Sequence, residues 1–297
     1  MTRGKLSTST HVLIGAGHMG GALLNGWLNG FGQNRSGMNS SGMNSSGEAK
    51  LEPSEILIID PSPGEAAEKA LELGAKYATG LTKGSASGLK LCLLAVKPQM
   101  FAEIGEGLAK SLPSDVLIIS IMAGISLEML NDVFGIRPVI RAMPNTPAAY
   151  GKGITAFVGG VGVTQAHKKL ARTRLEAGGK VVEVETERQI DMVTAVSGSG
   201  PAYVFVLTEA MAAAGVRLGL PEELAKELAR ETVIGSGYML DKNDHEVSDL
   251  RRAVTSPGGT TEAALEVLMS DNGLPSVMRK AVNAAFARSR ELGSRKT

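Results

Sequence analysis

The chain has 297 residues, enough for two domains and a sizeable core, and carries 31 basic against 30 acidic side chains. That balance argues against a nucleic-acid or anionic-membrane partner, and an aromatic content of 4% leaves few base-stacking surfaces. One cysteine, Cys92, excludes an intrachain disulfide and suits a reducing cytoplasm, and no signal-like or membrane-spanning apolar run is expected.

In chain order, the apolar strand His11-Val12-Leu13-Ile14 runs into Gly15-Ala16-Gly17-His18-Met19-Gly20, which opens an apolar-faced helix ending near Gly30. Between a strand and a helix, the first glycine makes the tight turn, the second admits a pyrophosphate, and the third lets helix and strand pack closely. A dinucleotide is the expected cofactor there. Ser36 to Gly47 is an imperfect Ser-Gly-Met-Asn-Ser repeat and reads as a flexible surface insertion, since it has too little apolar content to order itself. Strands at 56–60, 90–96, 116–121 and 138–143 then alternate with helices at 64–73, 100–110 and 127–133. Continuous apolar strands separated by helices predict a doubly wound, Rossmann-type parallel sheet. Ile154–Val158 and Val181–Val184 read as extra edge strands around a helix near 164–177.

From about residue 188 only helices are expected, at 201–218, 221–240, 247–254, 261–269 and 276–292. The domains are therefore set at 1–187 for dinucleotide binding, with 36–47 as the insertion, and at 188–297 for an all-helical half. The helix beginning Val204-Phe205-Val206-Leu207 is apolar nearly all round, so it needs burial in a core or against another subunit. Near the end, Ser256-Pro257-Gly258-Gly259-Thr260-Thr261 precedes a helix-forming segment. Ser256 is expected as N-cap and Pro257 in the first turn, leaving N–H groups and hydroxyls as a seat for a small anion such as a carboxylate. A tight interhelical connection is the alternative reading.

Three further segments fall at strand ends, where open α/β sheets bind ligands: Ala95-Val96-Lys97-Pro98-Gln99, Ala123-Gly124, and Arg141-Ala142-Met143-Pro144-Asn145-Thr146-Pro147. Val196-Ser197-Gly198-Ser199-Gly200-Pro201-Ala202-Tyr203 enters the helical half. With the Gly-rich turn and Val254–Thr261, these motifs in this order resemble pyrroline-5-carboxylate reductase over nearly the whole length. The resemblance implies reduction of 1-pyrroline-5-carboxylate to L-proline by a nicotinamide dinucleotide, NADPH or NADH. It places the dinucleotide on Gly15–Gly20, with the nicotinamide near Val96-Lys97-Pro98 and Asn145; Ala95 and Ala123 border the same crevice. It also places the substrate carboxylate on Ser256, Gly258, Gly259, Thr260 and Thr261, with Thr261 close to the ring nitrogen as the catalytic group. A homodimer formed through the helical halves, and rings of such dimers, are implied as well. No metal is expected.

Asp60 ends the second strand, where an acid hydrogen-bonds the adenosine ribose and repels a 2′-phosphate, favouring NAD. The family habit favours NADPH, and the insertion puts Asp60 much further from the glycines than the usual twenty or so residues. Cofactor choice stays open on the sequence. None of the four histidines presents an acid–base pairing; His18 stands in the phosphate turn, and Arg141 reads equally as a structural partner for a carboxylate. Two other readings compete: a different imine or 2-hydroxyacid reductase on the same plan, and a nucleotide-responsive binding protein.

Overall fold

The computed structural model describes residues 9–30 and 50–294. The insertion expected at 36–47 lies outside the described residues. The chain divides into two compact units, residues 1–198 with 286–297 and residues 199–285.

The first unit is built on an eight-stranded sheet in the order β3-β2-β1-β4-β5-β6-β7-β8. The strands are β1 (His11–Ile14), β2 (Ile56–Ile59), β3 (Lys76–Ala78), β4 (Leu91–Leu94), β5 (Leu117–Ser120), β6 (Val139–Met143), β7 (Gly153–Gly159) and β8 (Gly179–Glu183). β1, β2, β4, β5 and β6 are buried along their whole length, because each is covered on both faces. Alternate residues feed two cores. Leu13, Ile56, Ile58, Leu91 and Leu93 pack under α1 (His18–Asn29), α2 (Glu65–Glu72) and α5 (Gln165–Leu175). Val12, Ile14, Leu57, Ile59, Cys92 and Leu94 pack under α3 (Pro98–Ser111) and α4 (Leu127–Phe134).

Two details differ from the sequence expectation. The sheet is not parallel throughout, since β7 runs antiparallel to β6; β8 pairs with the other side of β7, so β7 is an interior strand and β8 the edge. β3, a three-residue strand pairing with β2, lacks the apolar run that would have announced it. The unit also contains α6 (Glu187–Val193) and a π turn at Thr194–Gly198.

The second unit is helical, with α7 (Gly200–Arg217), α8 (Glu222–Lys242), α9 (Val247–Ala253), α10 (Thr260–Leu268) and the start of α11 (Leu274–Ser294). α7 turns into α8 at Gly219, whose φ of 103° only glycine adopts readily, and Gly215 packs against Ala225. Almost no apolar core exists within this helical unit. α7 buries none of its residues, and α8 buries Ala225 and Ala229 alone. Among the described residues one helical run, Glu187–Arg217, is long and apolar enough to cross a membrane by length and composition. The sequence reading expected none.

Candidate functional site

β1 delivers the chain to a turn that two glycines make possible. Gly15 has φ 90°, and a Cβ on it would stand 2.9 Å from the carbonyl of Ala95 at the end of β4. Only glycine meets both demands. A Cβ on Gly20 would fall on the Gly15 carbonyl oxygen and 3.0 Å from Ala95 Cβ, so the first turn of α1 lies directly on the strand ends. Gly17 differs: a Cβ there would meet nothing within 4 Å. It is the N-cap of α1, has no side-chain cap bond, and is followed by no acidic residue in the first turn. Uncapped N–H groups facing open space with no competing carboxylate suit a pyrophosphate. Ala16 is buried, Met19 half-buried, and His18 exposed beside Gly17.

Asp60 sits against this turn although 44 residues separate it from Ala16. The in-register pairing of Ile14 with Ile59 and the bond from Gly15 N–H to the Ile59 carbonyl (2.9 Å) bring the ends of β1 and β2 together, whatever the connection between them. Asp60 Oδ2 accepts the Ala16 N–H at 2.6 Å and Oδ1 accepts the Ser62 N–H at 2.8 Å. Tyr77 Oη–H donates to the Asp60 carbonyl at 2.8 Å.

The remaining strand ends contribute their parts around the same C-terminal edge of the sheet. Ala95 and Val96 are half-buried beside Gly15; Lys97 is exposed as the N-cap of α3, and Pro98 starts that helix. Ala123 is exposed after β5. Asn145 is a tie between loops: its Oδ1 accepts the Ile154 N–H at 2.9 Å and its Nδ2–H donates to the Ser197 carbonyl at 3.2 Å. It thereby joins the loop after β6 to β7 and to the π turn, a helix irregularity often found at functional sites.

Arg141 is structural. Its guanidinium is buried and donates to Glu187 Oε1 (2.8 Å) and Asp191 Oδ1 (3.1 Å), fixing α6 to β6. Ser289 of α11 donates to the same Asp191 oxygen at 3.0 Å. His11 is buried too. Arg174 Nε–H, which can only donate, points at His11 Nε2 (3.0 Å), so Nδ1 carries the proton and donates to Thr10 Oγ1 at 2.7 Å. Burial, with Arg174 and Lys90 adding, pushes this imidazole down to about 3.

In the second unit, Ser256-Pro257-Gly258-Gly259 is a tight turn: Gly259 N–H donates to the Ser256 carbonyl at 3.0 Å, and Gly258 has φ 69°. Proline second and a positive-φ glycine third give a type II turn. The expected N-cap role of Ser256 is therefore corrected: Gly259 is the N-cap, Thr260 and Thr261 open α10, and Pro257 lies in the turn before it. Gly259 provides no side-chain cap, which leaves the first helical amides without a partner in the helix. Sequence reading missed Glu262, whose Oε2 accepts the Gly258 N–H at 2.7 Å and braces the turn from inside the helix. Thr261 is half-buried, and Ser256, Gly258 and Thr260 are exposed. Among the described residues no cluster of His, Cys, Asp and Glu could hold a metal ion.

Residues 187–292 match the family model described as pyrroline-5-carboxylate reductase dimerisation, and residues 11–124 match that of coenzyme F420-dependent NADP oxidoreductases. The pyrroline-5-carboxylate reductase of Pseudomonas aeruginosa is 36% identical over 97% of this chain and 98% of its own. That of Corynebacterium melassecola is 34% identical over 96% and 99%. Among solved structures, the Coxiella burnetii pyrroline-5-carboxylate reductase superposes with a TM-score of 0.82 at 32% identity, covering 97% of this chain and all of the other (100%). The Plasmodium falciparum pyrroline carboxylate reductase, solved with NADP bound, gives 0.75 at 28% identity, covering 98% and 100%. With relatives this similar along nearly its full length, the chain belongs to the pyrroline-5-carboxylate reductase family.

Proposed function

We propose that this protein reduces 1-pyrroline-5-carboxylate to L-proline with NADPH or NADH, the last step of proline biosynthesis. The observation that carries the reading is the Ser256–Gly259 type II turn, which leaves the α10 amides uncapped beside the hydroxyls of Ser256, Thr260 and Thr261. Those amides and hydroxyls hold the substrate carboxylate. The Gly15–Gly20 turn and the strand-end residues Asp60, Ala95, Val96, Lys97, Pro98, Ala123 and Asn145 hold the dinucleotide, with Gly17 leaving room for its pyrophosphate.

When bound, the dinucleotide supplies a hydride. A hydride delivered to the carbon of the protonated C=N bond would leave the π pair on a nitrogen that already bears its proton. No strong acid is needed, so Thr261 acts as a positioning group, its hydroxyl accepting the iminium N–H and orienting the ring. Residues 188–297 work as the dimerisation and substrate-holding half, and 1–187 as the dinucleotide half. Dimers joined into a ring, and a cytoplasmic setting, belong to the same reading.

Formation of proline from 1-pyrroline-5-carboxylate, followed by mass spectrometry with NADH and with NADPH, tests the assignment. Thr261→Ala should lower kcat at least about tenfold while dinucleotide affinity changes by less than about twofold, the pattern of a lost reacting-centre contact. Absence of proline with both cofactors, from protein that binds a dinucleotide, sinks the reading.

A further inference from the structure

We infer that Asp60 makes this enzyme selective for NADH over NADPH, a conclusion that rests on the dinucleotide reading of the Gly15–Gly20 turn. Sequence leaves this open because the residue favours NADH while the family habit favours NADPH, and an aspartate free to turn would not decide between them. The structure removes that freedom. Both carboxylate oxygens are held by backbone N–H groups, one from Ala16 inside the phosphate turn (2.6 Å) and one from Ser62 (2.8 Å). The backbone of Asp60 is held in turn by the Tyr77 hydroxyl.

The residue is buried, with 9% of its surface exposed, so its charge is only partly screened by water. Each oxygen keeps a second lone pair, and those lone pairs suit the two hydroxyls of an adenosine ribose. A phosphate on the 2′ oxygen would instead bring two anions together with no means of moving either aside. Replacing Asp60 would cost the Ala16 amide its partner, so anchorage of the turn and rejection of the phosphate depend on one side chain.

The loop that follows Asp60 offers no compensation. A 2′-phosphate site needs a cation or a cluster of donors, and Asp60-Pro61-Ser62-Pro63-Gly64-Glu65-Ala66-Ala67-Glu68 contains no lysine or arginine. Glu65 and Glu68 instead put two more carboxylates into the first turn of α2, directly after this loop. The nearest cations in sequence are Lys69 in a later part of α2, Lys50 before β2, and Lys76, which pairs with Leu57 three residues before Asp60.

The test is the dissociation constants of NADH and NADPH, from nucleotide fluorescence, beside kcat/KM for each with 1-pyrroline-5-carboxylate, for the wild type and Asp60→Ser. The wild type should favour NADH at least about tenfold by both measures, as like charges held together strongly disfavour the phosphorylated cofactor. In Asp60→Ser the ratio should fall at least about tenfold, chiefly through KM for NADPH. Equal use of the two cofactors by the wild type, or preference for NADPH, overturns the inference while leaving the reductase reading in place. Equal losses for both cofactors in the variant overturn it too, since Asp60 would then only brace the turn. Selective NADH binding with no proline formed fails the substrate reading alone, and no binding of either dinucleotide overturns both.

Discussion

Gly17 and Gly20 are three residues apart in one motif, yet different constraints require a glycine at each. At Gly20 the limit is the protein itself, because a Cβ would strike the Gly15 carbonyl and Ala95. At Gly17 the protein leaves the space empty, with backbone at φ −66°, ψ −159° that any residue adopts. A side chain at Gly17 should therefore harm binding and spare the fold, and the reverse should hold at Gly20. Gly17→Val is expected to lose dinucleotide binding at least about tenfold while stability changes by no more than about 1 kcal/mol. Gly20→Ala should lose about 1–3 kcal/mol of stability through overpacking. Paired denaturant and nucleotide titrations distinguish the two, and equal effects of both substitutions on binding would refute the division. The spacing of the glycines was legible in the sequence because it encodes these steric demands. The second task of Asp60, holding the Ala16 amide, was not, since spacing is silent about which backbone groups a side chain meets across the sheet.

At the scale of elements, the sequence revealed long apolar strands and helices well and short or turn-dominated pieces poorly. β3 spans three residues with a polar start, and its pairing with β2 is a tertiary fact. α6 is seven residues long, but its start was readable: Thr186 N–H donates to Gln189 Oε1 at 2.9 Å, a Thr-x-x-Gln pattern recorded in the sequence. Glu187 and Asp191, one helical turn apart on α6, both meet Arg141, a pairing that spacing alone does not assign. At α10 the proline and glycines signalled a turn and a helix start together. The positive φ at Gly258 decides that the turn comes first and that Gly259 is the cap. Elements are also joined by buried polar groups whose titration should be visible. His11 links β1 to Arg174 on α5 and is held at about 3, well below its ordinary 6.5. The unfolded chain then binds the extra proton between those values, so this contribution is fully present above pH 6.5 and is lost as pH falls towards 3. Thermal or denaturant unfolding should show stability declining by roughly 1 kcal/mol per pH unit across this window. The slope should flatten in His11→Asn, and an unchanged slope would show that carboxylates alone set acid stability.

At the scale of the whole molecule, the two halves achieve stability in different ways. The sheet unit buries its strands between two helical layers within one copy, whereas α7 leaves Phe205 63% and Val206 62% exposed and α10 leaves Val267 72% exposed. An apolar helix cannot remain solvated over such a length, and the match of 187–292 to a dimerisation family supplies the missing cover: a second copy of the same surface. This also accounts for Glu187–Arg217 passing a membrane-length test by composition. The sequence showed that this helix needed burial, but whether a core or a partner would provide it depended on how little apolar surface the other helices could offer in return. Folding of the helical half should therefore be coupled to association, and the Tm should rise with protein concentration. Phe205→Glu removes a large apolar contact, worth about 2 kcal/mol or more in each copy, and places a charge on the surface to be buried. Sedimentation should show the variant shifted to monomer at concentrations where the wild type is oligomeric, with a lower Tm. A wild type that sediments as a monomer at micromolar concentration, with a Tm independent of dilution, would mean that α7 finds its cover within one copy.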